Sequence, residues 1–380
     1  MEVDSSDYIR ASLAVLLFVL IAVLVYSLPR NATSVRVSEL VAPSAVGRAI
    51  AYWVVCVVLA SLTLYYVVSS SGGLGAYLAG LANRRVFFEE RGWGILVPSL
   101  VAPAMASLLV LCVATEALAQ RKMTAAFVAL TGIVGAVFLF LTGNRMNLVT
   151  FGVSAAVIFH KRIRRLRLGE LVAGMVVIGL IVLSLPTYLR PAGGDPELTV
   201  RPVRVVVEDI EERGPVSDFG HLSAIAMIMS GHPSLDRQYG RTYLAGATII
   251  LPRRIAPWKL PGAGQVVTIA LMPDLWLHAG TGIQVTAPGE AYLNFGWLGI
   301  LMGGVAFGAG LRLVRRFQAR PDPAGVLMFA ILLPRVALFF RGEFANTLMF
   351  LLIELAFIGF GILIIERRLM TARLPSPAAA

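Results

Sequence analysis

Long apolar runs alternate with short polar segments along most of the chain. A helix needs roughly 20 residues, at 1.5 Å rise each, to cross the hydrocarbon core of a bilayer. Nine runs approach that length: 9–28, 49–68, 95–119, 124–142, 146–160, 168–189, 290–312, 324–340 and 344–365. The fifth and eighth are short for a straight span, and the eighth carries Pro334 and Arg335, so a kink or partial unwinding is expected in both. The first run follows Asp4 and Asp7 instead of basic residues and precedes no small-residue cleavage site. It reads as a retained helix. The pattern predicts an all-α polytopic membrane protein of nine transmembrane helices, or ten, in a single membrane domain over 1–380. Spans one to six occupy 9–189, a long loop 190–289, spans seven to nine 290–365, and a tail 366–380.

Composition strengthens this reading. Hydrophobic residues make up 57% of the chain and charged ones 14%, with mean hydropathy +0.79, whereas a soluble domain is about a quarter charged. The net charge of +11 comes from 33 basic residues, all Arg except Lys122, Lys161 and Lys259. Such an Arg bias points to a GC-rich, bacterial genome. The charges sit in short loops between apolar runs, so topology explains them better than nucleic acid does. With the N-terminus outside, the cytoplasmic segments hold 17 basic residues and the short outer ones six. The positive-inside rule then places the N-terminus outside and the C-terminus in the cytoplasm of a bacterial inner membrane. It also puts the long loop, the 143–147 turn and the 341–343 turn on one outer face.

The long loop is too long to be structureless. Its stretches His221 to Met229, Tyr243 to Leu251 and Val266 to Leu277 are apolar but short, as expected of interfacial or re-entrant helices. Nine basic residues are balanced by nine acidic ones there, which argues against a simple cationic lipid patch. Cys56 and Cys112 both fall inside apolar runs, and the four His show no metal-ligand spacing, so no disulfide framework, metal site or cofactor is expected.

Three outer-face Arg sites stand out: Gly143-Asn144-Arg145, Pro252-Arg253-Arg254 and Arg341-Gly342-Glu343. Converging guanidinium groups suit a phosphate or diphosphate, while any one of them is equally well a snorkelling Arg at a helix end. Glu290 and Asn294 enter the seventh span four residues apart, hence on one helical face with Tyr292 between them. A carboxylate there has a partner or a task, or is favoured by the helix dipole. His221, three residues after Asp218, is a proton acceptor by type, with a structural His the favoured reading. Asp236, Arg237, Tyr239 and Arg241 form a polar cluster that either binds sugar hydroxyls or pairs internally. Glu116 and Glu354 lie in apolar runs with no assignable partner. No P-loop, Gly-x-Ser-x-Gly, His-Glu-x-x-His or Asp-x-Asp pattern is present, which disfavours ATPase, serine hydrolase, zincin and metal-dependent nucleotide-sugar transferase chemistry.

Taken in order, three stretches resemble the bacterial oligosaccharide repeat-unit polymerases of the Wzy-type O-antigen polymerase family. They are Thr142-Gly143-Asn144-Arg145, Tyr239-Gly240-Arg241-Thr242-Tyr243 with Pro252-Arg253-Arg254-Ile255-Ala256-Pro257-Trp258-Lys259, and Pro288-Gly289-Glu290-Ala291-Tyr292-Leu293-Asn294-Phe295-Gly296. The likeness covers about 120–345. It implies a GT-C-type glycosyltransferase in which a polyprenyl-diphosphate-linked glycan is donor and a second lipid-linked repeat unit is acceptor. Polyprenyl diphosphate would leave on the extracytoplasmic face without a metal. By position, Arg145, Arg253, Arg254 and Arg341 would hold the diphosphate. Glu290 and then His221 would be the candidate base, and Tyr239, Arg241, Lys259, Tyr292 and Asn294 would line the sugar site. The implied partners are the lipid-linked substrates, the bilayer and a chain-length regulator, and no nucleic acid. An O-antigen ligase-like transferase would share these features with a different acceptor. A flippase would show paired repeats and charges along a central path, and an assembly protein would tolerate single Arg substitutions.

Overall fold

The computed structural model describes residues 4–28, 43–80, 93–114, 122–167, 169–170, 173–174, 221–248, 256, 258–273, 276 and 283–371. Apolar sequence with no water to bond the backbone must satisfy its amides internally, and the described residues do so as helices. In chain order these are α1 (Ser5–Ser27), α2 (Pro43–Ser70), α3 (Leu74–Gly80), α4 (Trp93–Val113), α5 (Lys122–Phe140), α6 (Arg145–Arg162), α7 (His221–Met229), α8 (Arg241–Thr248), α9 (Ala263–Leu271), α10 (Ala287–Gln318), α11 (Pro323–Arg341) and α12 (Phe344–Thr371).

Eight of the nine expected runs coincide with helices α1, α2, α4, α5, α6, α10, α11 and α12. The run 168–189 lies almost wholly outside the described residues, as does Glu116. Six helices among the described residues are long and apolar enough to cross a membrane: α1, α10, α11 and most of α2, α4 and α12. The apolar part of α5, Ala125–Phe140, is shorter. The chain is a multi-pass membrane protein. Helix α4 is the most enclosed span, and its buried side chains join those of α2, α6, α11 and α12 in the largest apolar cluster.

The helix is not unwound at Pro334: α11 runs unbroken from Pro323 to Arg341. Proline removes the N–H that would bond the Ala330 carbonyl, and Ser154 Oγ of α6 donates to that carbonyl instead, at 2.8 Å. The break falls in α10. Gly296 has φ 62° and ψ −142°, which divides the element into a short segment, 287–295, and a long one, 297–318. A Cβ placed on Gly299 would lie 1.9 Å from the Ala291 carbonyl oxygen, and one on Gly303 3.1 Å from the Ala291 Cβ. The short segment therefore lies across the start of the long one.

The long segment packs on α1 with the two chains parallel. A Cβ on Gly304 would come within 2.9 Å of the Phe18 carbonyl oxygen and one on Gly308 within 2.6 Å of that of Ala22, while Arg315 lies over the Tyr26 ring. Small residues four apart let helix backbones approach this closely.

These contacts define two ends of the bundle. At one end Arg48 donates to the Ile365 carbonyl, Cys112 to that of Pro323 and Lys161 to that of Gln318. The basic residues near these contacts, Arg162, Arg164, Arg165, Arg167, Arg315, Arg316 and Arg320, belong to this end. At the opposite end lie the start of α1, the 141–144 turn, the start of α10 and the α11–α12 junction. The three short helices of the long loop occupy it as well. Helix α7 packs through Ile225, Ala226 and Met229 on Ala11, Ala14, Ala291 and Ile300. Helix α9 packs through Ala263 and Val267 on Val285 and Leu293, and α8 sets Gly246 against Phe344 and Leu348.

Candidate functional site

The site is built around the first segment of α10. Thr286 caps it, accepting the Gly289 N–H at 3.4 Å, with Pro288 in the first turn where no amide partner is needed. Glu290 follows and is 0% exposed. Its Oε1 accepts the Thr242 hydroxyl at 2.7 Å and its Oε2 accepts the Phe344 N–H at 2.7 Å. Thr242 in turn accepts a hydrogen from Asn294 Nδ2 at 2.7 Å, and Asn294 Oδ1 accepts the Gly240 N–H at 2.8 Å. Glu290 and Asn294 thus share one face, as their spacing predicts. They tie α10 to the 238–242 segment and to the α11–α12 junction.

The break at Gly296 supplies the next layer. A helix that stops leaves its last carbonyls unpaired. Here the 237–239 segment takes them in sequence: Arg237 donates to the Tyr292 carbonyl, Gln238 N–H to that of Leu293 at 3.2 Å, and Tyr239 N–H to that of Asn294 at 3.2 Å. The Arg237 guanidinium also lies 4.4 Å from the centre of the Tyr292 ring, which meets Trp297 edge-on at 5.9 Å. Tyr292 is half-buried in this stack. Asp236, Arg237, Tyr292, Leu293 and Met229 line a cavity of about 90 Å³.

A second cluster joins elements far apart in sequence. Arg341, at the end of α11, donates from Nε to His221 Nε2 at 3.2 Å and approaches Met146 Sδ at 3.9 Å. The 143–147 turn, the start of α7 and the 341–343 turn therefore meet at one end of the bundle. Gly143, at φ 66°, closes α5, and the Asn144 side chain caps α6 by accepting the Met146 N–H at 3.1 Å. Arg145 is the first residue of α6, while its side chain, like Arg253 and Arg254, lies outside the described residues. Beside this cluster, Glu343 accepts the Gly264 N–H at 2.7 Å, and glycine at 262 and 264 leaves room for its carboxylate. Burial raises the Glu343 carboxyl above its ordinary range, against the opposing pull of the Gly264 N–H and the Asn346 amide.

Of the remaining expected residues, Arg241 opens α8 and is exposed, Tyr239 is 76% exposed, and Lys259 is half-buried. Thr242 and the Phe344 amide were not singled out by type, and Glu343 entered only as a neighbour of Arg341. Thr242 lies inside the Tyr239–Tyr243 stretch already noted, but nothing local marks it as the bridge between Glu290 and Asn294. Glu354 gains a partner too. Arg335 grips it with Nε at 2.7 Å and a second N–H, and reaches Asn147 Oδ1 at 3.3 Å, with all three residues buried.

Residues 264–373 match the family model of the O-antigen polysaccharide polymerase Wzy. The chain resembles a Wzy-type polymerase. The matched region runs from α9 through α12 and holds Glu290, Asn294, Arg335, Arg341 and Glu343, in under a third of the chain. No curated protein and no solved structure matches the chain.

Proposed function

We propose that this chain is a GT-C-type membrane glycosyltransferase that polymerises polyprenyl-diphosphate-linked oligosaccharide repeat units on the extracytoplasmic face of a bacterial inner membrane. The observation that carries the reading is the meeting of Arg341, His221 and the Asn144–Met146 turn at the bundle end opposite the basic one, inside and beside the region matched to the polymerase family. The positive-inside rule makes the basic end cytoplasmic, which puts the Arg341 end outside.

In this reading an acceptor hydroxyl attacks the anomeric carbon of the donor glycan. The bond from that carbon to the diphosphate oxygen breaks, and the electron pair leaves with polyprenyl diphosphate. Charge grows on the departing diphosphate, and guanidinium groups from Arg341, with Arg145, Arg253 and Arg254, stabilise it without a metal. Of the two candidate bases, His221 is the better placed. Its Nε2 accepts from Arg341 and so carries no proton. A diphosphate that draws the Arg341 guanidinium to itself releases that lone pair for the acceptor hydroxyl. Glu290 is enclosed with both oxygens engaged and acts as a positioning residue. Tyr239 and Arg241 present their side chains toward the substrate, while Asn294 and Tyr292 hold the surface that carries them. Lys259 completes the sugar site.

The test is a glycan ladder from cells lacking this protein, complemented with wild type or Arg341→Ala. Arg341→Ala is expected to abolish long chains and accumulate single lipid-linked repeats, at normal protein level. A normal ladder from the variant removes the diphosphate clamp. Unlinked polymer accumulating in the uncomplemented cells assigns the chain to ligase-like transfer instead.

A further inference from the structure

Tyr239 holds a backbone conformation that its residue type opposes. The Arg241 N–H donates to the Gln238 carbonyl at 2.9 Å, closing a turn whose central residues, Tyr239 and Gly240, have φ of 46° and 86°. Two consecutive left-handed residues are the pattern of a type I′ turn, which favours Asn, Asp or Gly first and Gly second. Gly240 obeys the rule. Tyr239 is the one non-glycine residue at positive φ among the described residues, and there its Cβ crowds the following carbonyl.

The surrounding bonds impose this strain. Gln238, Tyr239 and Gly240 each donate a main-chain hydrogen to the broken segment of α10, to Leu293 O, Asn294 O and Asn294 Oδ1. An asparagine or glycine at 239 would make the same main-chain bonds with less strain. Among the described residues the tyrosine ring makes no stabilising contact: it is 76% exposed, it stacks on no ring and its hydroxyl bonds nothing. A local rule broken with no compensating contact is the signature of a residue kept for a ligand.

The surroundings indicate which ligand. Asp236, Arg237 and Arg241 are exposed around the turn, and Asp236 has no ion-pair partner among the described residues. Asp236 and Arg237 line the cavity beside it. A lipid acyl chain would desolvate these charges at a loss, whereas a sugar offers hydroxyls to them and an apolar C–H face to an aromatic ring. We propose that Tyr239 is a stacking platform for a sugar ring of the growing glycan, held outward by a turn strained for that purpose, with Asp236 accepting hydroxyl hydrogens from the same sugar. This deepens the polymerase reading and rests on it.

The test compares full-length Tyr239→Asn, Tyr239→Leu and Tyr239→Phe by thermal melting in detergent and by glycan ladder, with Arg341→Ala alongside. Tyr239→Asn is expected to melt about 2 °C higher than wild type, because strain is relieved, and yet to lose long chains. Tyr239→Leu is expected to lose them too, and Tyr239→Phe, which restores the ring, to recover them. A Tyr239→Asn variant that melts lower, or that polymerises normally while Arg341→Ala does not, overturns the platform. Recovery by Leu as full as by Phe overturns it in favour of a membrane anchor. Normal ladders from every variant, Arg341→Ala included, reject the polymerase reading itself.

Discussion

At the scale of single residues, burial separates groups that the sequence treats alike. Glu290 and His221 are both plausible proton acceptors by type, but one is enclosed with two acceptor bonds made and the other faces Arg341 at the bundle end. Replacing Glu290 by Ala leaves the Thr242 hydroxyl and the Phe344 N–H without an acceptor in a buried place, at about 1–3 kcal/mol for each. Glu290→Ala is therefore expected to lower the melting temperature and the ladder together, and Glu290→Gln, which keeps one acceptor oxygen, to lose less of both. An unchanged melting temperature with no polymer from Glu290→Gln would return this residue to proton transfer. The one-face relation of Glu290 and Asn294 was legible because helical spacing is local. Their link to Thr242 was not, because the two partners are 48 and 52 residues away. For the same reason Glu354 had no readable partner until α11 and α12 were packed side by side.

At the scale of elements, one glycine and one proline each free carbonyls inside a helix, and the groups that meet those carbonyls differ. Pro334 was expected to kink or partly unwind its span, and the helix continues through it without unwinding, with Ser154 on another helix replacing the missing donor. Gly296 closes one of the stretches noted in the sequence, with nothing local to mark a break, yet there the chain turns and the 237–239 segment caps the open end. Gly304 and Gly308 in the same helix serve close packing on α1. Sequence cannot sort these roles, because each depends on what lies opposite. Gly296→Ala forces a side chain into a left-handed conformation at about 1–3 kcal/mol and sets its Cβ 3.3 Å from the Arg237 guanidinium. The expected outcome is faster proteolysis within 236–241 together with shortened chains, whereas Gly310→Ala, which meets nothing within 4 Å, serves as the control. Equal proteolysis of the two variants would show that the break does not anchor the loop.

At the scale of the whole molecule, the two ends of the bundle differ in charge and in chemistry. A periplasm-active reporter fused after Gly193 is expected to be active and one fused after Arg165 inactive. The reverse pattern would put the Arg341 cluster in the cytoplasm and remove the extracytoplasmic transferase. The helical membrane class, most of the span positions and the charge asymmetry are determined by the sequence alone. They follow from lengths of apolar chain and counts of Arg, quantities that need no tertiary partner. The short loop helices were legible for the same reason, as apolar stretches too brief to cross. Which residues of that loop meet which span, that Glu290 holds the site together while Arg341 meets His221, and that Tyr239 stands strained and exposed were decided by the tertiary structure. Each depends on a contact across dozens of residues or on a dihedral imposed by such contacts, and neither is written in any local run of the chain.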